Sequence, residues 1–82
     1  MKVKTLKSRL ARYIKIHNLV RKYDKQVILL EQNIKHPSLN TEKLMPKEFG
    51  LYSFKVDRKY RGIFTITKEG QIEIVDINDH YQ

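Results

Sequence analysis

The apolar residues of this chain change their spacing near Gly50, and that change limits what the chain can fold into. Between Leu6 and Asn33 there is no glycine or proline, and apolar side chains recur at Leu6, Leu10, Tyr13 and Ile14, then at Val20, Tyr23, Val27, Leu30 and Ile34. Steps of three and four gather such residues on one face of a helix. Asn18 interrupts the series at a position suited to capping a second helix, so the spacing predicts two helices or one kinked helix. After Gly50 the period falls to two. Tyr52, Phe54 and Val56 alternate with Leu51, Ser53 and Lys55, and Tyr60 to Thr67 is rich in aromatic and β-branched residues, as strands are.

The remaining segments complete the pattern. Lys2 and Lys4 alternate with Met1, Val3 and Thr5, which predicts a short first strand. Asn33 to Phe49 carries Pro37, Ser38, Asn40 and Pro46 and keeps neither period, so it is expected to be a connecting loop. Lys68, Glu69 and Gly70 form a turn before a last strand over Gln71 to Asn78 with Ile72, Ile74, Val75 and Ile77. The expected order is strand, helix, helix, strand, strand, strand: an α+β fold, with a short N-terminal strand and a helical hairpin packed on one face of a mostly antiparallel sheet. No repeat or linker divides the chain, and residues 1–82 are expected to form a single domain.

Register follows in part. If Tyr52, Phe54 and Val56 share a face with Tyr60, Gly62 and Phe64, a three-residue loop over Asp57 to Lys59 pairs Val56 with Tyr60 and Lys55 with Arg61. Like charges directly opposite are unfavourable, which makes sense if an anion visits that face; equally, both point harmlessly into water. The last strand stays open. A two-residue turn puts Asp76, Asn78 and His80 on the Arg61 face, whereas a three-residue turn with Gly70 left-handed puts Ile72 and Ile74 in the core.

Charge narrows the function. Seventeen Lys and Arg against nine Asp and Glu give a net charge of +8 on 82 residues, a field that favours polyanions: nucleic acid first, but also an anionic membrane surface or an acidic protein. No apolar run approaches the roughly 20 residues that span a bilayer, and lysines and arginines interrupt the N-terminal segment where a signal peptide needs an apolar stretch. With no cysteine the core must suffice without disulfides, and a cytoplasmic setting is expected. The three glycines form no phosphate loop, and His17, His36 and His80 lack zinc-site spacing, so neither metal nor cofactor is expected. Ser53, His80 and Asp76 would make a Ser-His-Asp set only on paper, with no nucleophile elbow around the serine.

What remains is a candidate ribonuclease surface: Lys55 and Arg61 on a basic hairpin with Arg58 and Lys59 in its turn, Glu42 in the preceding loop, and His80 with Tyr81 at the end. Cutting RNA without metal takes a base for the 2′-hydroxyl, cations for the phosphorane charge and an acid for the 5′-oxygen, and these residue types supply all three. Glu42 also reads as a solvated loop acid, and His80 with Tyr81 as a frayed end.

The set His36-Pro37-Ser38-Leu39, Glu42-Lys43-Leu44, Gly50-Leu51-Tyr52-Ser53-Phe54-Lys55-Val56, Tyr60-Arg61-Gly62-Ile63-Phe64 and Asp79-His80-Tyr81 resembles the RelE/ParE toxin superfamily of bacterial toxin–antitoxin systems. The ending resembles its YoeB-like branch, whose chains close on a His-Tyr pair. The resemblance implies a RelE-like helix-on-sheet fold, an endoribonuclease that cuts mRNA on the ribosome, and a bound antitoxin that controls it. It nominates Glu42, Arg61, His80 and Tyr81 as catalytic, with Lys43 and Lys55 as phosphate contacts. Two other readings stand beside it: a ParE-like toxin that acts on DNA gyrase without a nuclease site, and a non-toxic RNA-binding module of the same fold. Removing His80, Tyr81 and Gln82 is expected to abolish cleavage, by on the order of 100- to 10,000-fold if general acid help is lost. Stability should change by less than about 0.5 kcal/mol; thermal unfolding and single-turnover cleavage of one truncated protein check both.

Overall fold

The computed structural model describes residues 1–80. The stretch free of glycine and proline forms two helices, α1 (Ser8–Ile16) and α2 (Val20–Gln32). Asn18 does not cap the second, as its sequence position suggests; it ends the first. The Leu19 amide donates to the Ile14 carbonyl at 2.7 Å and the Asn18 amide to the Lys15 carbonyl at 3.1 Å, a Schellman ending with Asn18 left-handed at φ 57°. Asparagine tolerates that conformation where most side chains do not. The apolar contact that accompanies such an ending is present, since Ile14 and Leu19 are both buried in the core cluster. No side chain caps α2, so its start is held by packing.

The helices bury Leu10 and Ile14 from α1, and Tyr23, Gln26 and Leu30 from α2. Gln26 is the departure from an apolar stripe. Its Nε2 donates to the Ser38 carbonyl at 3.1 Å and the Lys55 carbonyl at 2.7 Å, which satisfies an amide that would be costly to bury unpaired. One side chain thereby ties α2 to a strand end and to a 3₁₀ turn at Pro37–Leu39.

The sheet has four strands in sequence order, β1 (Glu42–Lys43), β2 (Leu51–Lys55), β3 (Arg61–Ile66) and β4 (Ile72–Asn78), all antiparallel. Strand β1 lies in the expected loop; two residues are too few to show a period. The expected first strand shrinks to a single parallel bridge, Val3 to Ile72. The chain must leave the sheet edge at once to start α1 at Ser8, and the Val3 amide is already taken by Glu31 Oε2 at 2.8 Å.

The β2–β3 register matches expectation: Tyr52 faces Phe64, Phe54 faces Gly62 and Lys55 faces Arg61. The last hairpin realises both alternatives in turn. Gly70 is left-handed at φ 79°, and Thr67 bonds to Gln71 around it, so Ile72 and Ile74 join the core. A bulge between Ile63 and Phe64 then leaves Val75 unpaired, with Phe64 opposite Ile74 and Ile63 opposite Asp76. One extra residue inverts the alternation, so Ile77 stays in the core while Asp76 and Asn78 pair with Ile63 and Arg61.

Phe54 and Phe64 are fully buried with centroids 5.9 Å apart, and Tyr52 stacks on Phe64 at 5.3 Å. The Phe54 ring occupies the space above Gly62: a β-carbon there would overlap its Cε1 and lie 2.6 Å from its Cζ. Enclosed by the core, that ring has nowhere to go. Gly62→Ala is therefore expected to destabilise the protein by about 1–3 kcal/mol through overpacking, lowering Tm by about 4–8 °C per kcal/mol for a domain of this size. Thermal melts of the two proteins check it.

Candidate functional site

Pairing of β1 with β2 sets Glu42 opposite Ser53, and the β2–β3 register sets Ser53 one alternate position from the Lys55–Arg61 pair. Glu42, Ser53 and Arg61 therefore share the sheet face turned away from the helices. The Arg61 side chain is only 14% exposed. Its Nε and one terminal nitrogen, Nη2, donate to Ser53 Oγ at 3.2 and 3.0 Å, and Nη2 also donates to the Asn40 carbonyl at 2.6 Å. Among the described residues the Nη1 hydrogens have no hydrogen-bond acceptor. The guanidinium is thus fixed in orientation yet keeps a donor edge free. Glu42 Oε1 lies 3.8 Å from Nη2, and the Glu42 side chain is 73% exposed, close enough to feel the cation and open enough to meet a ligand.

Asn40 reaches this position because it sits left-handed at φ 45° at the end of the Pro37–Leu39 turn. The turn begins at His36, whose Nδ1 accepts from the Ser38 amide at 3.1 Å. Neither Asn40 nor Ser53 was nominated as a partner of Arg61 from sequence. For Ser53 a signal existed, a small polar residue between Leu51 and Lys55 on the same strand face; for Asn40 the contact is made by a backbone carbonyl, which carries no residue signature. Ser53 is 1% exposed, with its oxygen engaged by Arg61. Asp76 is occupied by Arg9 at 3.8 Å and Asn78 at 2.8 Å, so no Ser-His-Asp relay links Ser53, Asp76 and His80 among these contacts.

The other nominated residues are spread more widely. Lys55 is the cross-strand neighbour of Arg61. Lys43 pairs with Tyr52, on the opposite face from Glu42, with its ammonium 5.6 Å from the Tyr52 ring. Arg58 and Lys59 sit in the β2–β3 turn, Lys59 5.5 Å from the Tyr60 ring. The His80 amide donates to Asn78 Oδ1 at 3.0 Å and its Nε2 lies 3.8 Å from Asp79; no contact among the described residues joins its ring to Glu42 or Arg61. Tyr81 lies outside the described residues. Among those described, no group of three or more His, Asp or Glu side chains is placed to hold a metal, and no helix is long and apolar enough to cross a membrane.

Asp57 organises the turn beside the site. Its Oδ1 accepts from the amides of Lys59 at 2.9 Å and Tyr60 at 2.7 Å, and its Oδ2 from Lys22 at 3.2 Å. Burial alone would raise its pKa, but the two amides and the ammonium outweigh that and hold it below the usual value.

Scans against protein-family models and curated proteins find no match. Solved structures do match: an α+β arrangement of two helices on an antiparallel sheet, shared with small bacterial toxins. A YoeB/ParE toxin from Agrobacterium tumefaciens superposes with a TM-score of 0.72 at 19% identity, covering 99% of this chain and 100% of that one. A YoeB dimer from Staphylococcus aureus superposes with a TM-score of 0.71 at 19% identity, covering 98% and 94%. The chain has the fold of these toxins.

The lowered Asp57 pKa makes an acid-stability prediction. The unfolded chain holds this proton more tightly than the folded one, so the carboxylate's contribution is complete above about pH 4 and is lost as pH falls through the folded value. Asp57→Ala should lower Tm at pH 7, and its gap from the wild type should narrow as pH falls through the folded value. Melts at several pH values read both limbs; a gap that persists at low pH would mean Asp57 acts through something other than its charge.

Proposed function

We propose that the chain is a toxin of a bacterial toxin–antitoxin system, a metal-independent endoribonuclease that cuts mRNA on the ribosome in the cytoplasm. The observation that carries this reading is the Arg61 guanidinium, anchored by Ser53 and the Asn40 carbonyl with Glu42 at 3.8 Å. Glu42 takes the proton of the 2′-hydroxyl, and the 2′-oxygen attacks the adjacent phosphorus. The free edge of Arg61 meets the charge that develops on the non-bridging oxygens. The P–O5′ bond breaks, the leaving oxygen receives a proton from His80 or Tyr81, and the products are a 2′,3′-cyclic phosphate and a 5′-hydroxyl. No cofactor enters the scheme. The shared fold supports the toxin half of the reading, and the +8 charge suits both RNA and an acidic antitoxin that neutralises the sheet face.

A second reading, a ParE-like toxin that binds DNA gyrase and cuts nothing, draws on the same fold, since one of the matching structures is described as a YoeB/ParE toxin. Expression in bacteria followed by mapping of mRNA ends separates the two. Codon-linked cleavage is expected, and growth arrest with intact mRNA would overturn the nuclease. Arg61→Lys should cut about 100- to 1,000-fold more slowly, since an ammonium cannot keep two anchors and still present a planar donor edge. Ser53→Ala, which leaves the guanidinium intact but loosens it, should fall between the two.

A further inference from the structure

A concavity lies beside the Lys55–Arg61 pair, between α2 and the β2–β3 turn. It has a volume of about 820 Å³, and its cations are Lys22, Lys25, Lys55, Arg58 and Lys59. The single carboxylate in the lining, Asp57, is already committed to Lys22 and two backbone amides, so it does little to offset them. Among the described residues Lys25, Lys55, Arg58 and Lys59 have no ion-pair partner. Gathering like charges around a hollow is unfavourable unless an anion occupies it.

The hollow is also held in shape. Gln26, 7% exposed, forms part of its lining and bonds the Ser38 and Lys55 carbonyls, which fixes α2 against the end of β2. Lys55 belongs to both places: it lines the hollow and faces Arg61 across the hairpin, where opposed β-carbons stand about 4.5–5.5 Å apart.

We infer that this hollow is a phosphate-backbone site for single-stranded RNA, continuous through Lys55 with the Arg61 centre. The inference rests on the RNA reading above and adds Lys22 and Lys25 of α2 to the RNA surface. An acidic protein segment would be drawn by the same charge, but such segments anchor through apolar side chains. The only apolar side chain in the lining, Val56, is 3% exposed and offers no anchor. Phosphate contacts need only cations.

The test uses the full chain and a fluorescent ten-nucleotide 2′-O-methyl RNA, which lacks the attacking hydroxyl and cannot be cut. Lys25 and Arg58 are exposed, so Lys25→Gln with Arg58→Gln should leave the melting curve unchanged. The slope of log affinity against log salt should fall by about 0.7 for each phosphate contact removed, hence by roughly 1.4. A double variant with wild-type affinity and slope would overturn the site. So would tighter binding of a poly-glutamate peptide of equal charge, lost in the same variant, which would assign the hollow to an acidic protein. If the slope falls as expected while mRNA stays intact in cells expressing the wild type, the hollow stands and the nuclease reading falls.

Discussion

The arrangement depends on Phe54 lying in the space that Gly62 leaves empty. Because a β-carbon at Gly62 would overlap the ring, the β2–β3 pair packs tightly only in the register that sets these residues opposite each other. That register places Ser53 under the Arg61 guanidinium and Lys55 across from it. A slip of one residue would move the buried rings to solvent and Arg61 into the core, so the contact that fixes the core also fixes the candidate site.

The bulge at Val75 does for β4 what Gly62 does for the hairpin. Without it, the parity that buries Ile72 and Ile74 would carry Asp76 and Asn78 to the helix side and Ile77 to the open face. With it, one strand gives three isoleucines to the core and still sets Asn78 opposite Arg61. The bulge lies about midway along the strand and leaves the turn at Gly70 and the ladder beyond it regular, so the whole change in parity is absorbed at one position.

The electrostatics follow the same division. Several acids are placed where they brace structure: Asp57 closes the β2–β3 turn, Glu31 holds the Val3 amide, and Asp76 meets Arg9. Glu42 differs, since its partner Arg61 is better satisfied by Ser53 and Asn40 and its carboxylate is left mostly in solvent. The Glu42 carboxylate therefore stays beside a pinned cation without being consumed by it.

The fold class, the two helices and the Lys55–Arg61 pairing could be read from residues alone, because spacing of three and four or of two follows directly from which side chains must leave water. The Glu42–Arg61 juxtaposition could not be read that way. It depends on β1, a two-residue strand with no period, and on Asn40, which contributes a carbonyl rather than a side chain. The role of Asn18 was mistaken for a related reason, since the same residue type serves helix starts through its side chain and helix ends through its backbone. Sequence by itself determined which surfaces are apolar and how the central hairpin pairs, since burial of alternate residues is a local property of the chain. Only the tertiary structure decided the parity of β4, the anchoring of Arg61 and the hollow beside it, because each arises where segments distant in sequence meet and backbone groups must find partners.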